Sequence, residues 1–474
     1  MKLKFIPQCF TICLIIYFSI SSSRAQNGVL VSGPMLGFVE LRTATIWAEF
    51  SQRPENLVLK YTPISNDGIS ETKSLGINDA SKDYGSVHIT NEHGHFIVKF
   101  LLANLSPQTK YNYSIVAGRK KMEQLASGHF TTQTFWQWRT PVPDFSFITG
   151  SCSYFNQPEY DRVQGKSYGG DSTIFQTMAK EKADFMLWLG DNWYTRVPDY
   201  FSEWGLYYRA SRDRAQPIVQ PLLQAMPQMA IWDDHDFGPN DAGSSYMLKS
   251  TSRNVFNNYW CNNAVGENGQ GIYTQFSWND VDFFLLDDRW FRSNDDMIDS
   301  INGKPNPEKQ MFGKQQMTWL KNALLQSNNN PNISFRFIVN GSQILNPLNP
   351  YDCLRHFSAE YEELMSFIDL QKIKGLLFLT GDRHHSEIIQ LERSNNYTLY
   401  DITASPLTSG IGFTKEPEKS SPYRVGKETD AQNFARLSFA GPLKQRKLIV
   451  EFIGIHGEVL DNWSINLQDI GVKK

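Results

Sequence analysis

The 474-residue chain has no excess of either charge: 46 lysines and arginines stand against 49 aspartates and glutamates, a formal net charge of −3. That balance leaves no electrostatic footprint for an anionic membrane, and no specific nucleic-acid binding is expected. Long apolar runs are scarce as well. The one candidate, Phe10 to Ile20, is shorter than the roughly 20 residues that cross a bilayer. With Lys2 and Lys4 before it and Ser23-Arg24-Ala25 after it, the run reads as a signal peptide over residues 1–25 rather than an uncleaved anchor. The expected product is exported to the periplasm or the cell exterior, monomeric, and without a transmembrane segment after cleavage. N-terminal sequencing of protein from the native host should begin at Gln26; a chain that starts at Met1 refutes the leader.

Cysteine is equally sparse. Of five, Cys9 and Cys13 lie in the leader, so the mature chain keeps Cys152, Cys261 and Cys353. An odd count in an exported protein points to a reactive or metal-bound thiolate. Cys152 is the candidate because it sits in a polar cluster at a strand end, whereas Cys261 and Cys353 are free to pair with each other.

The length suggests two domains. Residues 27–135 read as all-β, with strand-like runs at TATIWAEF (43–50), LVLKYTP (57–63), HFIVKFLL (95–102) and YNYSIVAG (111–118), mostly alternating apolar and polar. The spacing of Leu105, Pro107, Thr109, Tyr111 and Tyr113 resembles the tyrosine corner of Ig/fibronectin-like β-sandwiches. His88, His93, His95 and His129 lack acidic or thiol partners at ligand spacing and read as solvated. Residues 140–465 read as an α/β domain instead, in which buried strands (FSFITG, FMLWLG, QMAIW, FFLLDD, FRFIVNG, LLFLTG) alternate with helices. One helix is expected over Ser172 to Ala183, capped by Ser172.

Four polar clusters begin where those strands stop: GSC (150–152), GDNWY (190–194), WDDHD (232–236) and GDRHH (381–385). A lone Gly-Asp after a strand is usually a turn. Four such clusters together, one of them an acidic run beside an apolar strand, are costly near a core unless cations compensate. Adjacent His384 and His385 point to different sides, so one of them at most is a ligand.

These clusters resemble the metallophosphatases that include calcineurin-like and purple acid phosphatases, and most closely the PhoD-like alkaline phosphatase/phosphodiesterase branch. The resemblance implies an α/β/β/α sandwich catalytic domain behind the β-sandwich. It also implies metal ligation by Cys152, Asp191, Tyr194, Asp234, Asp382 and His384. Asp191 would bridge, Cys152, Tyr194 and His384 would hold the first metal, and Asp234 and Asp382 the second. His235 and Arg289 are the implied catalytic pair: the histidine acts on the leaving oxygen and the arginine on a non-bridging oxygen. Asp287 and Arg292 are placed nearby. The superfamily histidine expected after FRFIVNGSQ is missing, which leaves Asn340, Ser342, Gln343 or water to replace it.

Thiolate and phenolate suit iron(III), and an oxygen-rich second site suits calcium; zinc, manganese and magnesium remain compatible with the donors. The expected activity is hydrolysis of a phosphomonoester or phosphodiester, on a small molecule, lipid or polymer, by in-line attack of metal-activated water. No serine nucleophile is needed, and Ser153, Ser172 and Ser386 show no pattern that selects them. Two competing readings are a hydrolase of another ester on the same scaffold and a non-catalytic extracellular binding protein.

Overall fold

A computed structural model describes residues 28–64, 70–119, 121–161, 167–394 and 396–471. The leader and its cleavage site lie outside the described residues. The N-terminal part is a β-sandwich of two four-stranded antiparallel sheets. One sheet contains Leu30–Val39, Ala44–Phe50, His95–Leu102 and Gly85–Glu92, and the other Lys73–Gly76, Val58–Pro63, Lys110–Ala117 and Glu123–Thr131. Tyr111 closes the corner that its spacing foretells, its hydroxyl accepting the Ser106 N–H at 2.9 Å.

Alternation fails on Ala44–Phe50, where all the residues are buried. The outer face of that sheet packs on the α/β part, so Met35, Phe38, Trp47 and Ile97 belong to the larger core while Ile46, Ala48 and Phe50 fill the sandwich. Polar groups fix the junction. The Trp47 indole donates to Asn258 O at 2.7 Å, and buried Glu49 accepts from Ser211 at 2.8 Å and Tyr259 at 3.0 Å. His95 joins them at 2.8 Å from Glu49, which corrects its reading as a solvated histidine. His88 and His129 are exposed as expected.

The larger part packs two mixed sheets face to face. One runs in the order Gln228–Ile231, Phe185–Leu189, Phe145–Gly150, Asn433–Ala440, Lys447–Gly454 and Val459–Asn466, its first three strands parallel. The other is built on parallel Val281–Leu285, Phe335–Val339, Leu376–Thr380 and Leu399–Thr403, with antiparallel strands at both edges. Aromatic rings interlock between them. Phe147 meets Phe283 edge-on at 5.3 Å, and Phe337 meets Phe439 at 6.1 Å. Such edge-to-face pairs add about 0.5–1.5 kcal/mol to the burial of each ring.

Helix Ile174–Met178 is shorter than expected, and Thr173 rather than Ser172 precedes it. Asp171 Oδ1 takes the Thr173 N–H at 2.8 Å, so an Asx turn opens the segment. Asp184 N already bonds Ser146 O at 2.7 Å, which draws the chain after Met178 onto the sheet and ends the helix. The three mature cysteines are all unpaired, which corrects the pairing of Cys261 with Cys353. Cys261 packs at the sandwich junction against Gly37, and Cys353 Sγ lies 3.5 Å from Asn346 O. Among the described residues, no helix is long and apolar enough to cross a membrane.

Candidate metal centre

Parallel neighbours release their C-terminal ends on one edge, and that edge builds the site. From the first sheet come Cys152, Asp191 and the run from Asp233 to Asp236; from the second come the run from Asp287 to Arg292, Asn340, and the run from Asp382 to His385. The backbone turns sharply at these ends. Cys152, Asp191, Asp382 and His384 all have positive φ, at 63°, 53°, 68° and 58°. Each such residue costs about 1–3 kcal/mol and persists only where its surroundings impose it, a strain that concentrates at functional sites. The glycines between them permit close approach. A Cβ on Gly190 would sit 2.7 Å from Asp233 Cβ, and one on Gly381 would sit 2.7 Å from Ser151 Cβ.

Two sets of donors result. Cys152, Asp191 and His384 bring ligand atoms within 4.8 Å of one another, and so do Asp191, Asp234 and His235. Asp191 belongs to both. Its Oδ2 lies 3.6 Å from Cys152 Sγ, and its Oδ1 accepts the His235 N–H at 3.3 Å. Tyr194 Oη stands 3.3 Å from His384 Nε2, which places the phenol at the first set. Ser405 Oγ donates to Cys152 Sγ at 3.3 Å while accepting the His384 N–H at 3.0 Å, so one hydroxyl fixes two of these residues.

The electrostatics fit a cation. Burial, then Asp234, Cys152, Asp236 and Asp382, push the Asp191 carboxyl well above its ordinary range. Burial and then Asp382 raise the Cys152 thiol to about 11, and burial with Asp191 and Cys152 raises the Tyr194 phenol. Burial also opposes the Asp234 charge, yet His235, Arg289 and the Asp241 amide together hold that carboxyl below its usual value. Two neighbouring carboxyls buried this closely repel each other when both are charged. A metal ion supplies a charge that offsets this repulsion, and thiolate, phenolate, imidazole and carboxylate are all metal donors.

Above the donors opens a cavity of about 770 Å³ lined by Asp191, Asp234, His235, Arg292, Asp382 and His384, with Tyr168, Tyr351 and Phe413 among the remaining wall residues. Asp382 reaches the cavity but falls in neither close donor set; burial, then Asp352 and Asp234, raise its carboxyl to about 7. His385 is buried beside Glu387, its Nε2 3.4 Å from that carboxylate.

Arg289 stands behind the cavity, not in its wall. Its guanidinium meets Asp233 Oδ1 at 2.6 Å and Asp352 Oδ2 at 2.5 Å, and Asp352 Oδ1 takes Arg292 at 2.8 Å. Asp287 is a brace: Trp232 Nε1 and the Ile272, Arg289 and Trp290 amides surround its carboxylate at 2.8–3.0 Å. Of the residues that could replace the missing histidine, Ser342 is committed to Asp288 at 3.0 Å and Gln343 to Glu387 and Thr403 at 2.9 Å. Of these three side chains, Asn340 is the one whose buried oxygen has no hydrogen-bond partner among the described residues. Sequence reasoning passed over Asp352, in a loop with no ligand motif, and Tyr168, which follows no strand. Asp236, singled out only as part of the acidic WDDHD run and given no role there, takes the Asn192 and Asp233 amides at 2.9 and 3.0 Å and ties two motifs together.

Comparison with known proteins agrees with this geometry. Alkaline phosphatase D of Bacillus subtilis (strain 168) is 25% identical over 287 residues, covering 52% of this chain and 46% of that protein. The chain thus spans about half the length of that relative. The solved structure of PhoD superposes with a TM-score of 0.70 at 17% identity, over 93% of this chain and 90% of its own. A purple acid phosphatase from yellow lupin (Lupinus luteus) seeds gives 0.65 at 11% identity, over 94% and 76%. These likenesses establish the fold, an α/β/β/α sandwich behind an N-terminal β-sandwich. The family model for PhoD-like phosphatases matches residues 147–446, more than half of the chain and the stretch that carries all four polar clusters, and so this chain belongs to the PhoD-like phosphatase family.

Proposed function

We propose that this chain is an exported, metal-dependent hydrolase of phosphoric esters. The carrying observation is Asp191, a buried carboxylate common to two donor sets beneath a cavity large enough for a substrate. Cys152, Tyr194 and His384 complete a first site suited to iron(III); Asp234 and Asp382 give the second the oxygen donors that calcium prefers. The bound metals would polarise the phosphoryl group and supply an activated water at neutral pH.

The chain's own groups do the rest. His235 packs against Tyr194 with ring centroids 4.1 Å apart, and burial lowers its pKa below the ordinary histidine value while Asp234 opposes that shift. It serves by donating an N–H hydrogen bond to the leaving oxygen. Arg289 holds Asp233 and Asp352 in place, and the positive charge in the cavity wall comes from Arg292, Lys309 and Arg383. Export rests on the Lys2/Lys4 leader pattern and the Ser23-Arg24-Ala25 site.

The deciding experiment assays bis-p-nitrophenyl phosphate, p-nitrophenyl phosphate and a carboxylic ester, with metal content measured on the same preparation. Hydrolysis of either phosphate in proportion to bound metal supports the proposal. Activity on the carboxylic ester alone overturns it.

Iron at the first site has its own test. Thiolate and phenolate ligation of iron(III) should colour the purified protein. Tyr194→Phe should shift or weaken the visible band and Cys152→Ser should change it and lower iron retention, while Cys261→Ser leaves it alone. Active protein that contains zinc or calcium but no iron, with a spectrum indifferent to Cys152→Ser, refutes iron and leaves the hydrolase standing.

A further inference from the structure

Lys309, in the cavity wall, is a buried ammonium without an ion pair among the described residues. Only 5% exposed, it donates from Nζ to Asp295 O at 2.8 Å and stands 5.1 Å from the Phe357 ring centroid. An ammonium carries three donors, and burying it with so few partners is costly. Two more donor groups stand beside it. Arg292 lies 4.8 Å from the same ring, and its buried Nη1 has no hydrogen-bond partner among the described residues. His356 lines the same cavity; burial lowers its pKa first, and the charges of Lys309 and Arg292 lower it further against the Asn349 main chain and Asp352. The acids of the wall are engaged elsewhere or open to water. Asp352 is divided between Arg289 at 2.5 Å and Arg292 at 2.8 Å, Asp295 gives its carboxylate to Arg292 at 2.8 Å, Asp241 adjoins Asp234 through its N–H at 2.8 Å, and Asp296 is exposed. The main chain that carries Lys309 is fixed: its N–H bonds Asn306 O at 3.2 Å, the Gln310 N–H bonds Ser293 Oγ at 3.0 Å, and Glu360 takes the amides of Met311, Phe312 and Gly313 at 2.7–2.8 Å.

We infer that Lys309, with Arg292 and His356 beside it, is a subsite for a second anionic group of the substrate, a carboxylate or phosphate carried on the organic part of the ester whose scissile phosphoryl group lies at Asp191 and Asp234. An oxyanion there would take the donors that the protein leaves unused, in charge-assisted hydrogen bonds from groups already held in place. The inference rests on the reading of this cavity as a phosphoester site and deepens it.

The test measures competitive inhibition of p-nitrophenyl phosphate or bis-p-nitrophenyl phosphate hydrolysis by purified holoenzyme, using n-alkyl phosphonates and ω-carboxyalkyl phosphonates of matched, graded chain length. Both series offer a phosphonate to the metal centre and differ only in the terminal group. At a chain length that spans the two sites, the acid should bind about 10–100-fold more tightly than its alkyl partner, the worth of one hydrogen bond to a charged group. Lys309→Met keeps the apolar stem and removes the charge, and it should bring that ratio close to one; Lys309→Arg should keep most of it. A ratio taken within one variant is unaffected by changes in overall activity. The inference is overturned if no chain length favours the acid, or if the preference survives Lys309→Met, as it would for a carboxylate bound at the metals. Equal loss in the Met and Arg variants assigns the effect to packing and also overturns it. Failure to hydrolyse either p-nitrophenyl ester removes the phosphoester reading itself, and the inference with it.

Discussion

Asp191→Ala is expected to empty both metal sites at once and lower turnover by at least about 10³-fold, because metal activation is worth several kcal/mol and each 1.4 kcal/mol is a factor of ten. No other side chain belongs to both donor sets. Loss of one metal with the other at full occupancy would show that Asp191 serves a single site, and a metal-replete variant would overturn bridging altogether.

The same position makes a prediction about stability that runs the other way. In metal-free protein the Asp191 carboxyl is surrounded by Asp234, Cys152, Asp236 and Asp382, and burial with these neighbours raises it well above its ordinary range. Asp191→Asn keeps the shape and, like aspartate, tolerates the φ of 53° found there. The metal-free Asn variant should thus melt no lower than metal-free wild type, even though it no longer retains metal. A site that destabilises the empty protein and is compensated by its ligand is what strain and like charge at one strand edge produce.

How far the sequence alone reaches depends on the range of the signal. Apolar strand runs ending in polar clusters are local, and the strands Phe145–Gly150, Phe185–Leu189, Gln228–Ile231, Phe335–Val339 and Leu376–Thr380 stand where those runs place them. The convergence of Cys152, Asp191, Asp234 and His384 follows once the strands lie parallel. What stayed illegible is set by partners far away in the chain. Arg289 and Arg292 sit in one LDDRWFR run, and nothing in that run says that Asp233 and Asp352 enclose the first while the second lines the cavity. His95 reads as solvated until Glu49 and Tyr259 meet it across the sandwich junction. The positive φ of Cys152, Asp382 and His384 is equally silent, because none of them is a glycine. The helix after Ser172 is cut short by a sheet edge that periodicity does not see.

His235→Ala is expected to leave both metals bound and to lower kcat by about 10²–10⁴-fold, the range for a positioned proton donor or acceptor. The structure makes this a sharp test, because His235 belongs to the set with Asp191 and Asp234 and its Nε2 is only 4.0 Å from Asp234 Oδ2. Two features favour the leaving group over the metal. The side chain is 22% exposed, facing a cavity whose wall it helps to form, and its main-chain N–H rather than its ring bonds Asp191 and Asp234. A hydrogen-bond donor to the leaving oxygen matters most when that oxygen must take up the full charge of the broken bond. The loss should therefore be large for esters of poorly acidic alcohols and small for p-nitrophenyl esters, whose leaving group needs little help. Equal losses on both kinds of ester, or a stoichiometric loss of metal in His235→Ala, would instead make His235 a ligand and move the leaving-group role to another residue of the cavity wall.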